Sequence, residues 1–114
     1  MKYIKKYENS TFYEKVEKTH TLVETIFFEN CDDFIEIDRH YSSESQYNIY
    51  IYFSKVNQDV VDRVYRFNNL LGIPRWNLYA IGSKVSYSFN LERNNIDRIL
   101  SDLEIYQKSN KYNL

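Results

Sequence analysis

Residues 47–73 read YNIYIYFSKVNQDVVDRVYRFNNLLGI, and within this stretch an alternating run turns into a helical repeat. Two sets of side chains alternate along the first part, with Tyr47, Ile49, Ile51 and Phe53 on one side and Asn48, Tyr50, Tyr52 and Ser54 on the other. A period of two is typical of a strand that buries one face. Residues 47–54 are therefore predicted to form a half-buried strand.

The second part of the stretch, residues 58–71, predicts an amphipathic helix. Its apolar positions recur three or four residues apart, at Val60, Val64, Phe67 and Leu71, with Val61 and Leu70 beside them. The opposite side carries Asp59, Asp62, Arg63, Arg66 and Asn69. Gly72 supplies the left-handed position that a helix end favours, and Pro74 prevents the helix from resuming.

Length and composition indicate one folded domain over residues 1–114. With 43% hydrophobic and 18% aromatic residues, the chain has enough apolar material for its own core. A net charge of -1 gives no overall field toward nucleic acid or acidic membranes. A single cysteine, no signal peptide and no long apolar run lead us to expect a cytoplasmic protein. The abundance of residues with A/T-rich codons suggests a low-GC genome, and we hypothesise a mobile element.

The N-terminal third predicts a helix followed by two strands, although residues 1–20 fit either a helix or a strand. Thr11 and Glu14 have capping-box spacing, and Phe12 and Val16 are four apart, which favours a short helix over residues 11–19. Residues 19–29, THTLVETIFFE, are rich in β-branched and aromatic side chains and predict a strand. Residues 34–41 alternate, with Ile35, Ile37 and Tyr41 facing one way and Glu36, Asp38 and His40 the other. The last two segments together predict a hairpin.

The C-terminal third predicts a second hairpin and a second long helix. Gly82 and Ser83 form a two-residue turn signal inside NLYAIGSKVSYSFNLE, residues 77–92. Asn94 or Asn95 can cap the helix that follows. Its apolar stripe consists of Ile96, Ile99, Leu100, Leu103 and Tyr106. We interpret residues 108–114 as a frayed polar tail.

Taken together, these elements predict an α+β two-layer sandwich. About five strands form a mainly antiparallel sheet, with two helices on one face, in the order β-ββα-ββα. The pattern of residues 61–64 recurs at residues 96–99, with Tyr52 matching Tyr87; this echo fits a repeated unit or chance similarity between two amphipathic helices. The predicted shared core contains Ile51, Phe53, Val64, Phe67, Val85, Phe89, Ile99 and Leu103.

Glu36, Asp38 and His40 are the candidates for a metal site. A strand aligns them on one face, where carboxylate and imidazole groups can hold a divalent cation, and Glu24 on the preceding predicted strand would add a ligand. Alternating polar residues are also typical of the solvated face of an antiparallel strand. We favour the solvated face and expect no metal.

Other catalytic signals are absent from the sequence. His20 and His40 stand in no short motif with a nucleophile, and the two glycines cannot build a phosphate-binding loop. Cys31 lies beside Asp32 and Asp33, whose negative charge raises the pKa of a neighbouring thiol and disfavours a reactive thiolate. We therefore expect a protein that is not an enzyme and that needs no cofactor.

Tyr50 and Tyr52 are the candidate binding residues on the predicted central strand. If their strand lies beside residues 84–91, the two rings stand on an open face next to Ser86, Ser88 and Asn90. Tyrosines among small polar groups can stack nucleic-acid bases or serve as a platform for a protein. Half-exposed tyrosines also occur on sheets without any function.

The charges around this predicted face favour a protein partner. Lys55 and Lys84 lie at strand ends, and Arg39 alternates onto the other face. Glu36 and Asp38 would place negative charge where a nucleic acid would have to approach. Nucleic acid thus remains the alternative partner.

Arg75 and Trp76 follow the helix exit and are the other candidate binding residues. Arginine and tryptophan are enriched in interface hot spots, although a single tryptophan in a small domain is somewhat more often a core residue at the edge of the sheet. The function we predict is a small non-catalytic protein-binding factor, such as an inhibitor or an immunity or anti-defence protein. A single-stranded nucleic-acid-binding module is the alternative, and a metal-assisted enzyme the third reading. Homodimerisation through a free sheet edge is compatible with each.

Overall fold

In the part of the chain that the structure describes, three helices and four strands follow one another in the order α-ββα-ββα. The computed structural model describes residues 11–43, 45–73, 77–81 and 84–112. The elements are α1 (Phe12–Asn30), β1 (Phe34–Ser43), β2 (Gln46–Phe53), α2 (Gln58–Leu71), β3 (Leu78–Ile81), β4 (Lys84–Glu92) and α3 (Ile96–Tyr112). All strand pairs are antiparallel, and the sheet order is β1-β2-β4-β3.

The core lies between one face of this sheet and the helices. Alternate residues of the two central strands are buried there, namely Ile49, Ile51, Phe53, Val85, Tyr87, Phe89 and Leu91. Phe27 of α1 contacts Phe53, with ring centroids 5.7 Å apart, and Phe67 of α2 contacts Phe89 at 5.9 Å. α3 adds Ile99 and Leu103 to the same cluster. The eight predicted core residues are all buried in it, so that prediction is confirmed.

The α+β class and the antiparallel sheet are confirmed, but the predicted counts are wrong. The described residues contain four strands rather than five and three helices rather than two. The difference lies in residues 19–29, which belong to α1 instead of a strand. Consequently β1 forms its hairpin with β2, and the first element among the described residues is a helix rather than a strand.

α1 is one helix because its apolar stripe continues through the segment rich in β-branched residues. The predicted capping box is present: Glu14 N–H donates to Thr11 Oγ1, and Thr11 N–H donates to Glu14 Oε1, both at 3.0 Å. The buried stripe repeats every three or four residues as Phe12, Val16, Thr19, Val23, Ile26 and Phe27. Burial of this stripe outweighs the β propensity of the segment, which was the signal behind the wrong prediction.

Three threonines in α1 satisfy their hydroxyl groups within the helix. Thr19, Thr21 and Thr25 each donate to the carbonyl oxygen four residues earlier, at 2.8, 3.1 and 2.9 Å. This arrangement lets Thr19 be fully buried without an unpaired hydroxyl. The threonines that suggested a strand are therefore compatible with a helix.

An irregularity in β1 changes the predicted position of Ile35. The pairing of β1 with β2 shifts between Phe34 and Glu36, as in a β-bulge. Phe34 packs against the core, whereas Ile35 is 57% exposed. The prediction that Ile35 lies on the same face as Ile37 is therefore wrong, since Ile37 is buried and Ile35 is exposed.

The internal sequence similarity between residues 61–64 and 96–99 corresponds to equivalent positions in the two helices. The matched tyrosines of the strands do not occupy equivalent positions. Val64 and Ile99 are both buried, in keeping with a shared helical stripe. Tyr87 is fully buried, whereas Tyr52 lies on the opposite face of the sheet. Tyr52 pairs with Ser86, and Tyr87 is the next residue along β4, so the two matched tyrosines lie on opposite faces of the sheet.

α2 begins and ends as the sequence predicts, whereas α3 extends beyond its predicted end. Asn57 accepts the N–H of Val60 at 2.9 Å as the N-cap of α2, and Gly72 closes that helix with φ 65°. Arg98 of α3 donates to the carbonyl oxygen of Leu71 at 2.6 Å, and this bond links α3 to the C-terminal end of α2. α3 extends to Tyr112, through most of the segment interpreted as a polar tail. Among the described residues, no helix combines the length and apolarity needed to cross a membrane.

Asp33 ties the start of β1 to the start of α2. Its carboxylate accepts the Ser54 hydroxyl at 3.2 Å and the Asn57 side-chain amide at 2.9 Å, and its carbonyl accepts Ser54 N–H at 2.8 Å. The hydrogen bond from Asn57, followed by that from Ser54, holds the pKa of Asp33 below its usual range. Asp33 thus links two elements that are distant in sequence.

Stability should therefore fall in acid as Asp33 is protonated. A carboxylate with a lowered folded-state pKa stabilises the fold above its unfolded pKa, about 3.9, and loses that contribution as the pH falls through the folded value. We expect Asp33→Asn to flatten the decline of the thermal midpoint below about pH 4. Asp32→Asn is the matched control and should keep the wild-type slope. Equal slopes in all three proteins would contradict the assignment.

Candidate functional site

The face of the sheet turned away from the helices is the candidate site, and we call it the open face. It carries alternate residues of all four strands. They are Glu36, Asp38, His40, Asn48, Tyr50, Tyr52, Tyr79, Lys84, Ser86, Ser88 and Asn90. The adjacency of β2 and β4 therefore places the two predicted tyrosines beside the predicted serines, as the sequence suggested.

Strand pairing arranges these residues in rows across the sheet. Tyr52 lies between Glu36 and Ser86, and Tyr79 follows Ser86 on the edge strand β3. In the next row, Tyr50 lies between Asp38 and Ser88. Neighbouring strands are about 4.8 Å apart, so both rings stand next to an acidic group on one side and a small hydroxyl on the other.

Several ring contacts fix the orientation of the two tyrosines. Tyr50 and Tyr52 are nearly parallel, with ring centroids 6.4 Å apart and planes inclined by 13°. The His40 ring meets Tyr50 edge-on at 4.8 Å, and Lys84 Nζ lies 5.1 Å from the Tyr52 centroid. Both tyrosines are half-buried. Rings held by such contacts lose little conformational freedom when a ligand covers them.

Two small residues of β4, Ser86 and Ser88, lie between the tyrosines of β2 and the edge strand β3, and we call this pair of small residues the notch. Tyr50 and Tyr52 pair with these serines on one side, and Tyr79 pairs with Ser86 on the other. Tyr52 and Tyr79 are two strand spacings apart, about 10 Å. Tyr79 is 57% exposed, so its ring is available to a ligand.

The electrostatic character of the face is acidic along β1. Partial burial, followed by the charges of Asp38, Tyr50 and Glu36, raises the pKa of the Tyr52 phenol. Lys84 supplies a positive charge on the far side of the same ring. Arg39 faces the helices, as predicted, where its guanidinium donates to the Tyr13 hydroxyl at 3.1 Å.

The metal-ligand candidates come together only in part. Asp38 Oδ2 and His40 Nε2 are 3.2 Å apart, and both side chains are more than half exposed. Within the described part of the chain, no three His, Cys, Asp or Glu side chains are grouped so that they could hold a metal ion. Glu24 lies on α1 rather than on a neighbouring strand, so the ligand position predicted for it is wrong.

The remaining candidates lie elsewhere. Arg75 and Trp76 fall outside the described residues. Cys31 is buried at the end of α1, where its N–H donates to Phe27 O at 2.9 Å. Burial, rather than the adjacent aspartates, is the main cause that raises the pKa of its thiol. The pKa of the thiol is thus raised, as the sequence predicts, but its main physical cause is different.

Tyr79 is the member of the open face that the sequence analysis did not single out. Its strand has only four residues, which is too short for a clear alternation. The pairing of Tyr79 with Ser86 places it on the face. A tyrosine between Leu78 and Ala80 was the available signal, but its facing partner depends on the register of the hairpin.

Comparison with protein-family models, curated proteins and solved structures finds no match for this chain. The fold and the site define it as an α+β domain with a helix-covered face and an open, tyrosine-bearing face. Its function must therefore be inferred from the geometry of that face.

Proposed function

We propose that this chain is a non-catalytic protein-binding module that contacts its partner through the open face. The observation that carries the proposal is the stacked pair Tyr50 and Tyr52 at the centre of the sheet, beside the small residues Ser86 and Ser88. Tyrosine is enriched among the residues that dominate binding energy, because it offers a large, rigid surface with a polar tip. A central aromatic pair next to the notch is the arrangement expected of an interface anchor.

The charge on the face supports a protein rather than a nucleic acid as the partner. Glu36 and Asp38 lie directly beside Tyr52 and Tyr50, so a phosphate backbone following the rings would meet two carboxylates. A protein segment that brings lysine or arginine to β1 would be complementary to these carboxylates. We therefore propose that the partner surface is basic opposite β1 and apolar or aromatic opposite the notch.

Affinity capture of the partner tests the proposal. We expect a protein from the native cells to co-purify with the wild-type chain, and its recovery to fall at least about tenfold with Tyr50→Thr plus Tyr52→Thr. Threonine keeps the β propensity of the strand while removing the rings. Recovery is measured by quantitative mass spectrometry after circular dichroism has shown that the variant is folded.

Tyr65→Thr is the matched control for this capture. Tyr65 is an exposed tyrosine on α2, on the helical side of the domain, so its loss should leave the recovery unchanged. A partner retained by the folded double variant, or lost equally with Tyr65→Thr, would contradict the proposed surface.

The two carboxylates of β1 on the open face, Glu36 and Asp38, allow a separate prediction about the salt dependence of partner binding. We expect Glu36→Gln plus Asp38→Gln to weaken partner binding and to reduce its dependence on ionic strength, since screening acts on the charges that were removed. The measurement is the dissociation constant at low and physiological salt. Stronger binding by the neutralised variant would indicate an acidic partner and would contradict the proposed charge complementarity.

A further inference from the structure

A crevice opens on the helical side of the domain, where the C-terminal end of α1 meets α2 and α3. Its floor is apolar and consists of Ile26, Phe27 and Phe67, which are all buried. Its polar rim consists of Asn30, Arg63, Arg66 and Tyr106. The volume of the crevice is about 40 Å³, which is enough for a group the size of about three water molecules.

The two arginines give the rim its positive charge. Arg63 uses Nε to contact both carboxylate oxygens of Asp59 at 3.1 Å, so these bonds leave its two terminal nitrogens as donors. Arg66 is exposed, and it makes no hydrogen bond or ion pair with any other residue that the structure describes. With the Tyr106 hydroxyl, the rim therefore presents several donors and a net positive charge even when Asp59 is included.

The end of α1 does not account for these arginines. Lysine and arginine often neutralise the carbonyl groups at a helix C-terminus. Here the Ile26 carbonyl accepts the Asn30 side-chain amide at 2.7 Å, and the Phe27 carbonyl accepts Cys31 N–H at 2.9 Å. The carbonyls nearest the crevice thus have partners of their own, which leaves the arginine donors for a ligand.

We propose that this crevice binds a carboxylate that carries a short aliphatic group. The carboxylate pairs with Arg63 and Arg66, whose forked donors match two oxygens, while the aliphatic group lies on Phe27 and Phe67. Apolar walls with a few convergent polar groups are typical of small-ligand sites. This site is on the side of the domain opposite the open face, so the inference is independent of the proposed protein-binding function.

Titration of the full chain with isobutyrate, followed by ¹H–¹⁵N NMR, tests the inference. We expect saturable shifts of the Arg63 and Arg66 Nε–H signals and of the Asn30 side-chain amide, with a dissociation constant on the order of 1 mM. Isobutyramide has the same shape without the charge and should bind at least about tenfold more weakly, as should acetate, which lacks the branched group.

Substitutions of arginine test whether the rim of the crevice recognises the carboxylate. Arg66→Gln should weaken isobutyrate binding about tenfold, through the loss of one charge-assisted hydrogen bond. Arg93→Gln makes the same charge change at the turn before α3, near Phe12 at the other end of α1, and should have no effect. Equal binding of isobutyrate and isobutyramide, unchanged affinity in Arg66→Gln, or shifts spread over surface cations rather than the rim would overturn the site.

Discussion

Replacing Phe67 with alanine is expected to lower the free energy of unfolding by about 3 to 5 kcal/mol. Phe67 is buried where α2 meets the sheet and α1, and its ring lies 5.0 Å from Phe27, 6.1 Å from Tyr87 and 5.9 Å from Phe89. Alanine would remove all three aromatic contacts and leave a cavity that neighbouring rings can fill only in part. Urea denaturation followed by circular dichroism measures the change.

Phe28→Ala provides the matched control, because it is the same phenylalanine-to-alanine substitution at a position on α1 where the side chain is 75% exposed. Its expected effect is within about 0.5 kcal/mol. Similar losses for the two variants would contradict the orientation of α1 and the position of α2 against the sheet.

Asn68→Ala should also destabilise the fold strongly, by about 1 to 3 kcal/mol for each buried polar group that loses its partner. Asn68 is buried on α2, accepts the Tyr87 hydroxyl at 2.6 Å and donates to the Ile73 carbonyl at 3.0 Å. Burial raises the pKa of the Tyr87 phenol, so the hydroxyl remains a neutral donor at ordinary pH. Alanine removes both interactions at once.

A double-mutant cycle with Tyr87→Phe separates this bond from general packing. Tyr87→Phe keeps the ring and deletes the hydroxyl, so the loss in the combined variant should be smaller than the sum of the two single losses. The unfolding free energies of the four proteins measure the coupling. Strict additivity would show that the Asn68–Tyr87 bond does not contribute as described.

Local patterns predicted most of the fold because they are short-range. The alternation of β2 and β4, the stripe of α2 and the helix end at Gly72 all follow from residues near one another in sequence. The secondary structure of residues 19–29 was not predictable in the same way, because their β propensity favours a strand while their apolar spacing favours a helix. Packing of Val23, Ile26 and Phe27 in the core decides that competition.

The candidate sites were predictable to different degrees. Tyr50 and Tyr52 follow directly from the alternation of their strand, whereas the notch depends on the pairing of Tyr79 with Ser86. Asn68 stands one helical turn after Val64, so a polar residue on the buried stripe was the available sign of its bond to Tyr87. The crevice had no local signal, since it forms only where α1, α2 and α3 meet.

Ring resonances of the tyrosines provide the most direct test of the claim that the open face is the contact surface. Aromatic ¹H–¹³C NMR spectra of the wild-type chain are compared with and without the captured partner, after assignment of Tyr50, Tyr52 and Tyr65. The proposed surface predicts that the Tyr50 and Tyr52 signals shift or broaden on binding, while those of Tyr65 on α2 stay in place. Unchanged Tyr50 and Tyr52 signals in a complex that shifts Tyr65 would place the interface on the helical side and contradict the account.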